Sequence, residues 1–208
     1  GTSELVRYFF ATPSHVDGSG REVAAVRGVL GSMTQLLEDG ATHVGIATDH
    51  VIESFRNELW DDYKDSTGID PLILGQFHLL EEVLAAAGFT VWPMVEFEAD
   101  DALGAGAVMA AHDSRVEEVL ICTPDKDLAQ VVSDELGIVQ YDRRKGVRYD
   151  RAAVIEKFGV PPESINDYLA LVGDSADGFP GLRGWGAKST SAVLARYGHI
   201  EDIPAAAG

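Results

Sequence analysis

Apolar positions recur at three- and four-residue spacing through 21–38, where Val23, Val26, Val29, Leu30, Met33, Leu36 and Leu37 share one face before Asp39-Gly40. That pattern predicts an amphipathic helix with a sharp stop. The short apolar run at 43–48 predicts a buried strand, 51–64 reads as helical, and Pro71 opens a helix over 72–87 that ends at Gly88. A strand over 89–94, a small-residue helix over 100–112, a strand over 118–123, a helix over about 126–133 and a strand over 137–141 follow. Strands alternating with helices of this length predict an α/β fold: a mostly parallel central sheet flanked by helices.

The pattern changes near residue 150. Helices are predicted at 151–158, 163–173 and 187–197, joined by the glycine-dense loop 174–186, with no strand. The expected division is therefore a core over 1–150 and a helical subdomain over 151–208. No repeat, low-complexity tract or long linker interrupts the chain, and the three-alanine tail reads as the start of a further segment.

Composition narrows the class. The chain has 208 residues, of which 46% are apolar, enough to build a core and incompatible with intrinsic disorder. Its apolar runs are far shorter than the roughly 18–20 residues of a membrane span. Cys122 is the only cysteine, so no internal disulfide forms, a reducing cytoplasmic setting is expected, and a structural zinc site is not. The net charge of −18 opposes general adhesion to nucleic acid or anionic membrane. The excess is uneven: residues 1–125 carry 6 basic and 22 acidic side chains, whereas 126–196 carry 10 of each. A polyanion would meet the C-terminal third.

Acids follow three of the predicted strands. The 43–48 run leads into Asp49, the 118–123 run into Asp125 and Asp127, and the 89–94 run is followed by Glu98, Asp100 and Asp101. Asp174 and Asp177 lie in the glycine loop. Ligands in open α/β sheets bind at the carboxyl ends of strands, so eight carboxylates are expected to face one region. Two such charges about 5 Å apart repel by roughly 3 kcal/mol at an effective dielectric near 20. A cluster of this size calls for cations or protons, and hard oxygen donors favour Mg²⁺ or Mn²⁺. Singly, each acid also suits a helix cap or a solvated surface. The segment 174–178 is not a calcium loop: Ala176 stands where oxygen is needed, and the glutamate at the twelfth place is absent.

Gly184 and Gly186 precede a helix beginning near Ala187, with Lys188, Ser189 and Thr190 in its first turn. Glycine lets a backbone approach a large anion, and a helix start offers unpaired N–H groups to phosphate. The spacing is not that of a P-loop. Arg143, Arg144, Lys145 and Arg148 form a second basic cluster on an expected hairpin tip, equally suited to solubility or to phosphate contact.

Four motifs in order resemble the 5′→3′ exonuclease / flap endonuclease family, which includes the N-terminal nuclease domain of bacterial DNA polymerase I. They are Asp49 with Ser54-Phe55-Arg56 and Tyr63-Lys64; Glu98-Ala99-Asp100-Asp101; Thr123-Pro124-Asp125-Lys126-Asp127-Leu128; and Gly173-Asp174-Ser175-Ala176-Asp177 followed by Pro180-Gly181 and Gly184-Trp185-Gly186-Ala187-Lys188. The resemblance implies a PIN-like 5′ nuclease core with a C-terminal helix–three-turn–helix subdomain. It implies two Mg²⁺ (or Mn²⁺) ions: Asp49, Glu98, Asp100 and Asp101 serve one subsite, and Asp125, Asp127, Asp174 and Asp177 the other. Arg7, Arg56 and Lys64 would steer the scissile phosphate, and the helix–three-turn–helix, with Gly184, Gly186, Lys188, Ser189 and Thr190, would grip duplex backbone and carry a potassium ion. The implied substrate is DNA with a duplex region and a 5′ end or flap, cut during replication or repair by a cytoplasmic monomer that makes no membrane contact.

The chain departs from the family pattern in three places. The family has a strand ending in Asp-Gly just before Gly1, so coverage at this end is expected to be incomplete. Asp65-Ser66-Thr67, near Asp61 and Asp62, stands where the family has a basic residue, and Gly178 replaces an Asn. The acidic substitutions raise a second reading, a DNA-binding relative with weakened catalysis. A third, a phosphatase forming a phospho-aspartate at Asp125 or Asp127, leaves the glycine loop unexplained.

Overall fold

The computed structural model describes residues 2–205; the last three residues, including the end of the alanine tail, lie outside it. The chain divides into two compact units, residues 1–102 and 103–208.

The first unit begins with a helix that the sequence pattern left unassigned, α1 (Thr2–Ala11), whose Leu5 is fully buried. It packs on α2 (Ala24–Glu38) at Gly28, where an added Cβ would fall 2.4 Å from the Tyr8 ring. Strand β1 (Gly45–Asp49) pairs in parallel with β2 (Thr90–Met94). Parallel neighbours need a long crossover, and α4 (Pro71–Ala86) supplies it. Asp70 caps α4 by accepting from the Leu72 N–H at 2.8 Å, with Pro71 in the first turn. Val26, Val29, Met33, Ile46, Phe77, Leu80 and Leu84 fill the core between these elements. Gln76, buried on α4, accepts from the Val26 N–H at 3.4 Å and anchors the start of α2.

The helix expected over 51–64 is a single turn, α3 (Arg56–Leu59). The reason is local. Trp60 is extended, and the acid-rich stretch after it has no apolar face to bury, so packing cannot compensate helix nucleation.

α5 (Ala99–Ala111) leads into the second unit, where β3 (Val119–Ile121) pairs in parallel with β4 (Ile138–Asp142), and β4 pairs antiparallel with β5 (Val147–Tyr149). The helix expected over 126–133 is a 3₁₀ segment, Lys126–Val131, with Asp125 at its cap. Arg148 lies within β5 rather than at the hairpin tip and pairs with Glu118. α6 (Arg151–Phe158), α7 (Ile165–Val172) and α8 (Ala187–Tyr197) surround Val154, Val160, Ile165, Leu171 and Leu194. Ser191 of α8 donates to the Phe158 carbonyl of α6 at 2.6 Å. Among the described residues, no helix is long and apolar enough to cross a membrane.

Candidate metal centre and nucleic-acid interface

In the first unit, Asp49 ends β1 and reaches the N-terminus of α5: its Oδ1 accepts from the Ala99 N–H at 2.8 Å, while its own N–H donates to Thr2 Oγ1 at 2.8 Å. A carboxylate at that position suits the helix dipole. Glu98, just before α5, is 7% exposed. It accepts from Ser54 Oγ at 2.8 Å, from Arg56 Nη1 at 3.3 Å and from Lys64 Nζ at 2.9 Å. Asp101 takes a two-pronged contact from Arg56 at 2.8 and 2.7 Å and also accepts from the Glu98 N–H at 2.9 Å. Asp100 sits half-buried in the same turn.

Burial pushes the Glu98 carboxyl up, but hydrogen bonds from Lys64, Ser54 and Tyr63 outweigh it and hold it below the ordinary range. The Arg56 contact does the same for Asp101. Arg56 and Lys64 therefore stand beside the acids of this unit, paired with Asp101 and Glu98. Arg7, on α1, instead pairs with Glu4 one turn earlier and lies 4.0 Å over the Tyr8 ring.

In the second unit, Asp127, Asp174 and Asp177 each offer a carboxylate oxygen, all within 4.8 Å of one another. Asp125 is exposed; its Oδ1 accepts from the Asp127 N–H at 3.1 Å, so it caps the 3₁₀ segment. Asp174 is buried, with Lys126 Nζ 2.7 Å from its Oδ2. Asp127 Oδ1 is buried without a hydrogen-bond partner. Burial, then the charges of Asp125, Asp177 and Asp174, push its carboxyl up to about 6. These hard oxygens, with one buried oxygen unsatisfied and one ammonium beside them, fit a divalent cation of the Mg²⁺ type.

The Asp127 shift fixes a pH dependence. The folded chain keeps the proton up to about pH 6, whereas the unfolded chain releases it near 3.8. The unfolded state thus binds fewer protons across that interval, and stability falls as pH rises from about 4 to about 6. Thermal melts in chelator read this contribution as the difference between wild type and Asp127→Asn, because the depressed carboxyls of Glu98 and Asp101 slope the other way. Asp127→Asn is expected to remove it and to raise the metal-free Tm at pH 7.5 by about 2–4 °C.

The α7–loop–α8 segment carries the remaining candidates. Gly184, Gly186, Lys188 and Ser189 are exposed around the start of α8. Ser189 Oγ accepts from the Gly186 N–H at 3.1 Å and donates to the Gly186 carbonyl at 3.0 Å, so its hydroxyl shapes the helix start. Thr190 is fully buried and its Oγ1 faces the interior, away from any phosphate that the loop would meet. Glycine positions 173 and 181 are in backbone contact, an added Cβ at either falling 2.5–2.7 Å from main-chain atoms of the other strand of the loop.

Two residues that the first motif contains without a role, and one outside every motif, organise these sites. Ser54 and Tyr63 hold Glu98. Gln140, buried on β4, donates to the carbonyls of Thr123 and Asp125 and fixes the loop that presents Asp125. Its signal was a single amide inside the apolar run Gly137-Ile138-Val139-Gln140-Tyr141.

The model of the 5'-3' exonuclease N-terminal resolvase-like domain matches residues 1–159, and that of the 5'-3' exonuclease C-terminal SAM fold matches 160–208. The chain belongs to the 5'-3' exonuclease family. It is 33% identical over 207 residues to a 5'-3' exonuclease of Aquifex aeolicus, covering 98% of this chain and 70% of that one. It is 35% identical over 211 residues to DNA polymerase I of Mycobacterium bovis, covering 98% of this chain but only 23% of the polymerase. The fold is similar to that of T5 5'-exonuclease with bound divalent metal ions (zinc), with a TM-score of 0.72, 18% identity, and 87% and 72% of the two chains covered.

Proposed function

We propose that this chain is a divalent-metal-dependent 5′ nuclease that hydrolyses phosphodiester bonds in DNA bearing a duplex region and a 5′ end or flap. The observation that carries the reading is the carboxylate trio Asp127, Asp174 and Asp177, with an unsatisfied buried oxygen on Asp127. Family membership and the paired Arg56–Asp101 and Lys64–Glu98 contacts support it.

The functional division runs between a nuclease core, 1–150, and a duplex-binding subdomain, 151–208. Asp49, Glu98, Asp100 and Asp101 serve one metal subsite; Asp125, Asp127, Asp174 and Asp177 serve the other. Mg²⁺ or Mn²⁺ held by these carboxylates would supply charge stabilisation to phosphoryl oxygens and to water. Asp127 enters the reaction as a carboxylate, and its proton is gone above about pH 6. Arg56 and Lys64 orient the scissile phosphate, and Arg7, paired with Glu4 at rest, is assigned the same role. At the start of α8, first-turn N–H groups lacking intrahelical acceptors meet the duplex backbone without reading bases. Gly184, Gly186 and Lys188 flank them, and a potassium ion in the 173–186 loop belongs to the same interface. The protein acts as a cytoplasmic monomer.

The test is cleavage of end-labelled 5′-flap and nicked-duplex substrates with and without Mg²⁺. Metal-dependent release of 5′ fragments is the expected result; duplex binding without cleavage would instead establish the weakened DNA-binding relative. Lys188→Ala is expected to weaken binding to duplex of any sequence and to lower the salt slope of log K by about one, as read by anisotropy titrations at several salt concentrations. An equal loss on an unrelated single strand would remove the duplex-clamp role.

A further inference from the structure

Glu81 is a carboxylate on the buried face of α4, beside Phe77, Leu80 and Leu84, and is 8% exposed. A buried charge needs partners. Its Oε1 accepts from Thr48 Oγ1 at 2.7 Å. Its Oε2 lies 2.7 Å from His50 Nδ1 and 3.8 Å from His78 Nδ1. The two imidazole rings meet edge to face, with centroids 4.3 Å apart. One ligand atom from each of His50, His78 and Glu81 lies within 4.8 Å of the others.

We propose that His50, His78 and Glu81 form a site for one imidazole-preferring divalent ion of the Zn²⁺ class, built from residues outside the eight nuclease acids. Tetrahedral zinc with bonds of roughly 2.0–2.1 Å spaces its ligand atoms about 3.3 Å apart. The 2.7 and 3.8 Å separations lie on either side of that value. His78 and Glu81 share one helix face at three-residue spacing, and His50 arrives from the end of β1. Thr48 orients the carboxylate from behind, as outer partners of metal ligands do. The side chains of His50 and His78 are 37% and 62% exposed, so water can fill the fourth position. Two imidazoles and one carboxylate select zinc over magnesium, the reverse of the all-oxygen trio. No thiol is required, so the single cysteine does not exclude the site. Bound there, the ion ties the carboxyl end of β1 to α4.

The test is calorimetric titration of the full chain with Zn²⁺ in excess Mg²⁺, comparing wild type, His78→Ala and Asp127→Asn/Asp177→Asn. His78 is exposed on a helix, so its replacement leaves the core intact. The wild type and the double Asp variant are expected to bind one Zn²⁺ that His78→Ala binds at least about tenfold more weakly. Long-range nitrogen–proton NMR spectra should show the ring nitrogens of both histidines shifting with that equivalent. Unchanged affinity in His78→Ala, zinc binding that leaves the His50 and His78 signals in place, or no zinc bound by the wild type would each overturn the proposal.

Discussion

Replacing Asp125 and Asp127 together by Asn is expected to abolish Mg²⁺-dependent cleavage of a 5′ flap, a fall of at least about 10³-fold, while duplex affinity changes by less than about threefold. The first number follows from charge. Metal stabilisation of a phosphoryl transition state is worth several kcal/mol, and each 1.36 kcal/mol is a factor of ten in rate. Asp127 supplies the buried unsatisfied oxygen of the trio, and Asp125 is the charge that most raises its proton affinity. Asn keeps the shape of both side chains, and Oδ1 at position 125 can still accept from the residue 127 N–H, as Asp125 does at 3.1 Å. The 3₁₀ segment should therefore remain folded. The proposed duplex contacts, at the start of α8 and Lys188, are left unaltered by the substitutions. The measurement pairs single-turnover flap cleavage with anisotropy binding in calcium. Cleavage within threefold of wild type would remove these two acids from the metal centre.

The second large effect is on stability. Gly181→Ala is expected to destabilise the second unit by about 2–4 kcal/mol and to lower its Tm by roughly 6–12 °C. Gly181 has φ +67°, and a Cβ there would fall 2.5 Å from Gly173 N and from the Val172 carbonyl carbon. Neither atom is the flexible end of a side chain, so backbone must move. The segment that would move holds two of the candidate metal ligands: Asp174 exchanges N–H···O bonds with Phe179 at 2.7 and 2.8 Å, and the Leu182 N–H donates to the Leu171 carbonyl at 2.9 Å. Cleavage should fall with stability because Asp174 and Asp177 sit inside that loop. Gly184→Ala is the control. Its φ is +90°, but nothing lies within 4 Å of the added Cβ, so only conformational strain remains and the loss should be about 1 kcal/mol. Equal melting shifts for the two variants would show that close backbone approach is not what requires glycine at 181.

What the sequence revealed follows how local each signal was. α8 runs over 187–197 and α6 over 151–158 as the pattern predicts, because Gly198 and Gly159 close them with positive φ and the Asp150 side chain caps the start of α6. The strands were legible within a residue or two from their apolar runs, although β1 takes in Asp49 and β3 stops at Ile121. α1 was not: its apolar stripe becomes intelligible only against Val29 and Met33 of α2. The short α3 was over-read because helix-forming residues between 51 and 64 lack a face to bury. In the sites, residue types were legible but their partners were not. Nothing in the spacing of Ser54 and Glu98, 44 positions apart, announces a hydrogen bond. Thr190 shows the converse: its place in the first turn of a helix preceded by glycines suggested a phosphate contact, yet the helix turns that side chain into the core. The trio joins Asp127 to a loop 47 residues later, a closure set by the packing of α7 against the 3₁₀ segment.

The most direct test of the central claim is a count of bound Mn²⁺ by electron paramagnetic resonance in the wild type and in Asp127→Asn/Asp177→Asn. Loss of one tightly bound equivalent in the variant is the predicted result. The same number of ions bound with the same affinity in both proteins would contradict the assignment of these carboxylates as the metal centre.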